Sequence, residues 1–219
     1  AAEDIFAMIN DADMVFGNVK DENGNSVQLT KGRYSTFMES QNREVRKSAF
    51  NTLYEAYKKQ KNTLATTYYS NVKKDAFYSE VRKYSSSLES ALDDDKIPTS
   101  VYDNLISAVH KYLPLMHRYV KIRKKILGLD ELHPYDLYAP LADDSDMKIS
   151  YEKAKETVVK ALAPMGEEYI SALKEGLEGG WIDVYENSGK RGGAYSWGTY
   201  SCHPYVLLNH NDTLNSMFT

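Results

Sequence analysis

Apolar residues recur along most of this chain with a helical period. From about Asp4 to Phe16, the positions Ile5, Met8, Ile9, Ala12, Val15 and Phe16 form one stripe. The segment "VKDENGNSVQL" follows, where Asn23-Gly24 separates two short alternations and predicts a hairpin turn. Thr30 is placed to cap a short helix through Met38, and Ser40 to cap a long one. On that long helix Val45, Phe50, Leu53, Tyr57, Leu64 and Tyr68 hold one face for about thirty residues, or ~45 Å. A further helical run covers Ala76 to Leu92, punctuated by Asp93-Asp94-Asp95 and Pro98.

The next helix begins near Thr99 or Ser100. Its stripe is Val101, Leu105, Ile106, Val109, Leu113, Met116, Val120 and Ile126, and Gly128 ends it. Pro114 falls inside the pattern and predicts a kink. A connector, "LDELHPYDLYAPLADDSD", leads to a helix pair at Tyr151–Ala163 and Gly166–Leu177. Glycines then become dense, and the pattern switches to the short strand-like pieces "WIDVYE", "GGAYSW" and "PYVLL". After them Asp212 or Thr213 opens another helical pattern through Leu214, Met217 and Phe218. The fold class expected is mainly α, a layered helical bundle with a small Gly-rich β-sheet near the C-terminus.

Composition narrows the function classes. The 219 residues carry 42% apolar and 26% charged side chains, ordinary for a soluble globular protein. A net charge of −4 gives no bulk electrostatic reason to expect nucleic acid as a partner. The best basic cluster, "KIRKKILG", closes a helix, where cations complement the helix dipole. No apolar run reaches the ~20 residues that cross a bilayer, so no membrane partner is expected. The opening residues carry no basic-then-apolar leader, and the lone cysteine, Cys202, fits a reducing compartment. Together these lead us to expect a cytoplasmic protein. Eighteen tyrosines are many. Without a basic groove they read as half-wet seams between helices rather than as a base-stacking platform.

Candidate chemistry is sparse. His110 and His117 stand seven apart on one helix, ~10.5 Å along its axis, too far to share a metal easily. His203 and His210 flank a strand at odd spacing and should face opposite ways. Counting twelve residues from Asp144 in "ADDSDMK" reaches Lys155, where a calcium loop needs a glutamate. "GKRGG" lacks the spacing and the trailing Ser or Thr of a phosphate loop. Cys202 beside His203 suggests a thiol with a base, but adjacent strand residues point to opposite faces. No complete active site can be built from these residues alone.

Five strings, read in order, point further. They are "IFAMINDADMVFGNVKDENG", "REVRKSAFNTLYEAYKKQKNTLA", "LMHRYVKIRKKILGLDELHPYDLYAPL", "GWIDVYENSGKRGGAYSWGTY" and "HPYVLLNHNDTLNSMFT". Nearly end to end, the chain resembles oligoendopeptidase F, a zinc metallopeptidase of the thimet-oligopeptidase-like group. "GKRGGAYS" and "HPYVLLN" are the most specific strings. The resemblance implies a partial zincin-like peptidase fold and a zinc-dependent endopeptidase acting on short oligopeptides. It also implies that the phrase after "NSMFT" is the active-site helix with its His-Glu-x-x-His motif. There two histidines bind zinc and the glutamate activates the metal-bound water.

On this reading the 219 residues are an internal portion of one longer peptidase domain. Residues 1–128 are a long-helix scaffold, 129–180 a connector and helix pair, and 181–219 the substrate-cleft strands and the start of the active-site helix. The chain by itself is expected to hold no zinc tightly, to lack catalytic and metal-binding residues, and to be inactive. Its implied partners are a peptide substrate and the remaining N- and C-terminal parts of the same enzyme. Gly192 and Gly193 leave room for another backbone. Gly193, Ala194, Tyr195 and Ser196 are carried over as the substrate-facing stretch, with His203 and Tyr205 as cleft-lining residues. His210 stands where an aromatic residue is more usual after "VLLN". The alternative is a non-catalytic helical interaction module derived from such a peptidase. An enzyme portion cut from its partners should expose apolar helix faces and self-associate.

Overall fold

A computed structural model describes residues 2–141, 148–187, 189–213 and 216–217. Residues 142–147, which include most of the acidic stretch weighed as a calcium loop, lie outside the described residues. So do Leu214 and Phe218 of the expected last helix.

The N-terminal stripe is helical, as α1 (Ala2–Ala7) continuing into a π-helical segment (Met8–Asp13). Strands β1 (Asn18–Lys20) and β2 (Ser26–Gln28) form the expected antiparallel hairpin. Asp21 organises its turn by accepting from the amides of Asn23 and Asn25. Gly24 takes φ +82°, a conformation that costs a glycine little. Helix α2 (Lys31–Met38) is capped as expected, with Thr30 Oγ1 accepting from Arg33 N at 3.1 Å.

The long helix differs from its sequence reading in two ways. Asn42, not Ser40, is the cap, accepting from Glu44 N at 3.0 Å. Ser40 is buried instead and donates to Glu22 of the hairpin turn. The helix is also divided at Gln60, into α3 (Arg43–Lys59) and α4 (Lys61–Val81). The apolar spacing stays in phase across the one-residue break, so periodicity does not register it. The run expected over Ala76–Leu92 is likewise the end of α4 plus a separate α5 (Ser87–Leu92). Helix α6 (Thr99–Ile126) then passes through Pro114 without interruption.

The core lies where the hairpin, α2, α3 and the connector meet. Phe16, Val19, Leu29, Phe37, Met38, Val45, Ala49 and Tyr135 are buried there together. Tyr135 sits in a 3-10 turn (Pro134–Asp136) that is locked to α3 by charge. Asp136 accepts from Arg43, Arg46 and the His133 amide. Burial alone would raise its carboxyl, but these donors outweigh that and hold it at about 2. Arg123, near the end of α6, donates to the carbonyls of Asp136 and Ala139.

Helices α7 (Tyr151–Ala161) and α8 (Glu167–Glu178) form the expected pair. They lead into a three-stranded sheet of β3 (Ile182–Asp183), β4 (Tyr195–Trp197) and β5 (Tyr205–Leu207). Its order is β3-β5-β4, with β3 parallel and β4 antiparallel to the central β5. The chain is a layered, mainly helical structure with a small Gly-rich sheet.

Candidate functional site

Strand β4 forms one edge of the sheet, and all three of its residues are exposed. Which of its backbone groups are free follows from the ladder. Val206 N donates to Trp181 O and Leu208 N to Asp183 O, each at 2.8 Å, so these residues turn their amides toward β3. Alternation then turns Tyr205 and Leu207 toward β4, where they pair with Trp197 and Tyr195. Ser196, opposite Val206, therefore turns its N–H and C=O to the outer edge, where no described residue pairs with them.

The approach to β4 is held from below. Asn209 Nδ2 donates to Gly193 O at 2.8 Å and to Arg191 O at 3.1 Å. Gly193 takes φ +91°, which a side chain would resist. Lys190 folds back onto β3, donating to Tyr185 O at 2.6 Å and Asp183 O at 3.1 Å, and pairing with Asp183 Oδ1 at 3.0 Å. Its side chain is almost wholly buried.

A second set of contacts ties this loop to the N-terminal half. Asp11 pairs with Lys31 at 2.9 Å and with Arg191 at 3.4 Å. Burial pushes the Asp11 carboxyl up, yet Lys31, Asn10 and Arg191 together hold it below the usual carboxylate range. Glu186 accepts from Thr30 Oγ1 at 2.6 Å and pairs with Arg33 at 2.9 Å. A Cβ at Gly32 would come within 2.4 Å of Glu186 Oε2, so a larger residue there would push the Glu186 carboxylate aside.

The sequence-predicted residues separate into two groups. Gly193, Ala194, Tyr195 and Ser196 form one continuous exposed stretch, and Tyr205 lies beside Trp197 on the same face. His203 sits in the β4–β5 connection, not on a strand. Its ring stacks on Trp181 at 4.5 Å and 3°, and Trp181 lies against Gly176 of α8. His203 thus braces the connection. Cys202 is an exposed free thiol in the same turn, so the strand argument made for this pair does not describe it.

Sequence reasoning missed Asn209, Lys190 and Tyr151. A lone Asn, Lys or Tyr beside a strand or opening a helix carries no pattern that marks such a role. His210 is buried, with its amide donating to Val184 O at 2.9 Å. Its ring meets Tyr151 edge-on at 5.5 Å, in the wall of a cavity of about 720 Å³ that Gly193 and Ala194 also line. His203 and His210 are not brought together as ligands. Among the described residues no three His, Cys, Asp or Glu side chains gather around one point as a metal site would need. What the site presents is a strand edge for hydrogen bonding, flanked by aromatic rings and a half-open cavity.

Comparison with known proteins identifies the family. The chain is 53% identical over its full length to the oligopeptidase PepF of Bacillus subtilis, of which it spans 33%. It is 44% identical over 98% of its length to an oligoendopeptidase F homolog of Lactococcus lactis subsp. lactis, spanning 35% of it. The crystal structure of oligoendopeptidase-F from Enterococcus faecium superposes on 80% of the chain with a TM-score of 0.64 and 43% identity, and the match covers 33% of that structure. The chain thus spans about a third of the length of these relatives. With the profile of Peptidase family M3 matched over residues 36–219, the chain belongs to peptidase family M3.

Proposed function

We propose that this chain is the peptide-holding part of a zinc-dependent endopeptidase that cleaves short oligopeptides. An extended substrate adds to the outer edge of β4, pairing main chain to main chain with Ser196. Strand addition of this kind holds a peptide without demanding a particular side chain, which suits broad specificity. Gly193 and Ala194 let the peptide approach closely, Tyr195 and Tyr205 wall its path, and His203 keeps the β4–β5 connection in place. The unpaired backbone of Ser196 on an exposed edge is the observation that carries this reading.

The described residues do not fit a zinc site, and the hydrolytic step is assigned to none of them. We infer that the metal's ligands, and the groups that act on water, come from other parts of a longer polypeptide, of the kind these relatives have. Within it, residues 1–128 serve as scaffold, 129–180 as connector and helix pair, and 181–219 as groove wall. Among the described residues no helix is long and apolar enough to cross a membrane, and a cytoplasmic setting is the one we propose.

The test uses the complete polypeptide that carries these residues. Ser196→Pro removes the outward N–H, which has no partner among the described residues, and proline is tolerated on a free edge. Peptide turnover should fall at least about tenfold, the loss of a well-made hydrogen bond or more, while Ser196→Ala stays near wild type. As a check independent of folding, N-methylation of one substrate amide should reproduce the loss with the wild-type enzyme. Unchanged turnover in both arms would refute strand addition at β4.

A further inference from the structure

Beside the free edge of β4, one face of the sheet carries a row of aromatic rings. Tyr195 stands opposite Leu207 and Trp197 opposite Tyr205, so these four side chains share a face, while Ser196 and Val206 point to the other. Trp197 is 75% exposed, Tyr205 60% and Tyr195 47%. The row is braced at its inner end. The Tyr205 ring meets His203 at 4.6 Å, His203 stacks on Trp181 at 4.5 Å, and Trp181 packs on Gly176, where a Cβ would come within 2.8 Å of the indole. Gly176 itself is buried in α8. At the outer end, Tyr195 and Trp197 lie on the strand whose edge is unpaired.

Two features fit this face to an apolar ligand lying along that edge. Scattered exposed apolar residues are ordinary, but rings gathered on one sheet face make a continuous apolar surface. Among the strand residues the charged one, Asp183 opposite Leu207, is already paired with Lys190 at 3.0 Å. Strand addition then fixes which substrate residues reach the rings. A residue paired with Ser196 turns its own side chain to the face of Ser196. The residues before and after it turn theirs to the opposite face, beside Tyr195 and Trp197. An added strand lies about 4.8 Å from β4, which brings both side chains within reach of the rings.

We propose that Tyr195 and Trp197, with Tyr205 behind them, read two substrate side chains spaced two apart and favour apolar ones, aromatic above all. The assignment rests on β4 being the substrate strand. The edge holds the peptide backbone without regard to sequence, and the aromatic face adds a preference at alternate positions.

The experiment measures kcat/KM of the complete polypeptide for peptides in which alanine, phenylalanine, lysine or aspartate is placed at each position in turn. Two positions, two residues apart, should favour phenylalanine over alanine about fivefold, the size of a well-made cross-strand pair. In Trp197→Thr the ratio at one of these positions should fall below about twofold, and in Tyr195→Thr the ratio at the other. Threonine keeps the strand propensity of the position. A preference spread evenly along the peptide, a preference for lysine or aspartate at the two positions, or ratios that ignore both substitutions would overturn the assignment. Thermal melting supplies the structural control. Trp197 is exposed, so Trp197→Thr should leave Tm of the complete polypeptide within about two degrees. A larger fall would show that the remainder of the polypeptide covers this face, and would also overturn the assignment. Failure of the strand reading has a different signature. If Ser196→Pro and N-methylation of the substrate both lower turnover while the phenylalanine ratios ignore residues 195 and 197, only the aromatic assignment fails. If neither lowers turnover, the strand reading fails and takes this one with it.

Discussion

Arg46 Nη2 lies 2.9 Å from Asp136 Oδ1, with 4% and 0% of the two side chains exposed. The pair fastens α3 to the 3-10 turn of the connector, and Arg43 and the His133 amide complete the shell around the same carboxylate. Breaking one partner of such a pair leaves the other buried and uncompensated. Asp136→Asn should therefore cost about 3–5 kcal/mol in urea unfolding. Replacing Asp136 and Arg46 together by apolar residues of similar size should cost less than the single change, since no stranded charge remains.

The same carboxylate sets an acid limit. Its folded pKa of about 2 lies below the ordinary value of 3.8, so its contribution is fully present above about pH 4 and is lost as pH falls toward 2. The difference corresponds to about 2–3 kcal/mol. Denaturant midpoints measured between pH 4 and 2 should fall more steeply for the wild type than for Asp136→Asn. Parallel slopes would show that other carboxylates dominate acid unfolding.

Asn209 is predicted to act at a distance from any substrate. It holds the carbonyls of Arg191 and Gly193 and so fixes where β4 begins. Asn209→Leu should lower kcat/KM of the complete polypeptide about tenfold, with roughly 1 kcal/mol lost in stability. Amide exchange over 191–196 should quicken while exchange in α3 stays unchanged. A uniform rise in exchange would reveal a general folding defect instead of a positioning role.

Much of the fold is legible in the sequence, for reasons that particular residues make plain. Thr30 and Asn23-Gly24 act locally, through a side-chain oxygen on a helix end and a backbone turn, so their neighbours in sequence suffice to identify them. Ser40 is misread as a cap because Glu22, distant in sequence, competes for its hydroxyl. The break at Gln60 escapes notice because a single-residue interruption leaves the apolar period intact. Within the site, the "GGAYSW" strand carries a readable string, whereas Asn209, Lys190 and Tyr151 gain their roles only when three strands and two helices converge.

Two lysines carry avoidable backbone strain. Lys83 and Lys96 adopt φ +65° and +54°, just past the ends of α4 and α5. Lys83 closes α4 with its amide donating to Glu80 O at 2.9 Å, while Tyr84 N reaches Ser79 O at 3.0 Å, the arrangement that favours glycine. Lys83→Gly and Lys96→Gly should each stabilise the chain by up to about 1 kcal/mol, read as a rise in Tm of a few degrees. No rise would mean that the added freedom of the unfolded glycine chain offsets the relief.

Helix α6 offers the last test. Leu105, Val109, Tyr112 and Met116 follow one another at helical spacing, and each is half or more exposed, Leu105 to 62%. Single exposed apolar residues are common, but a continuous stripe marks a surface that something covers. Relatives about three times as long supply a candidate cover, the remainder of one polypeptide. The 219-residue chain on its own should then associate as its concentration rises, seen by sedimentation velocity. Leu105→Glu with Met116→Lys should return it toward monomer. In the complete polypeptide the same pair of substitutions should instead lower Tm, because there the stripe is interior. A chain that stays monomeric on its own, paired with an unchanged Tm in the longer protein, would show that this face is simply a wet surface.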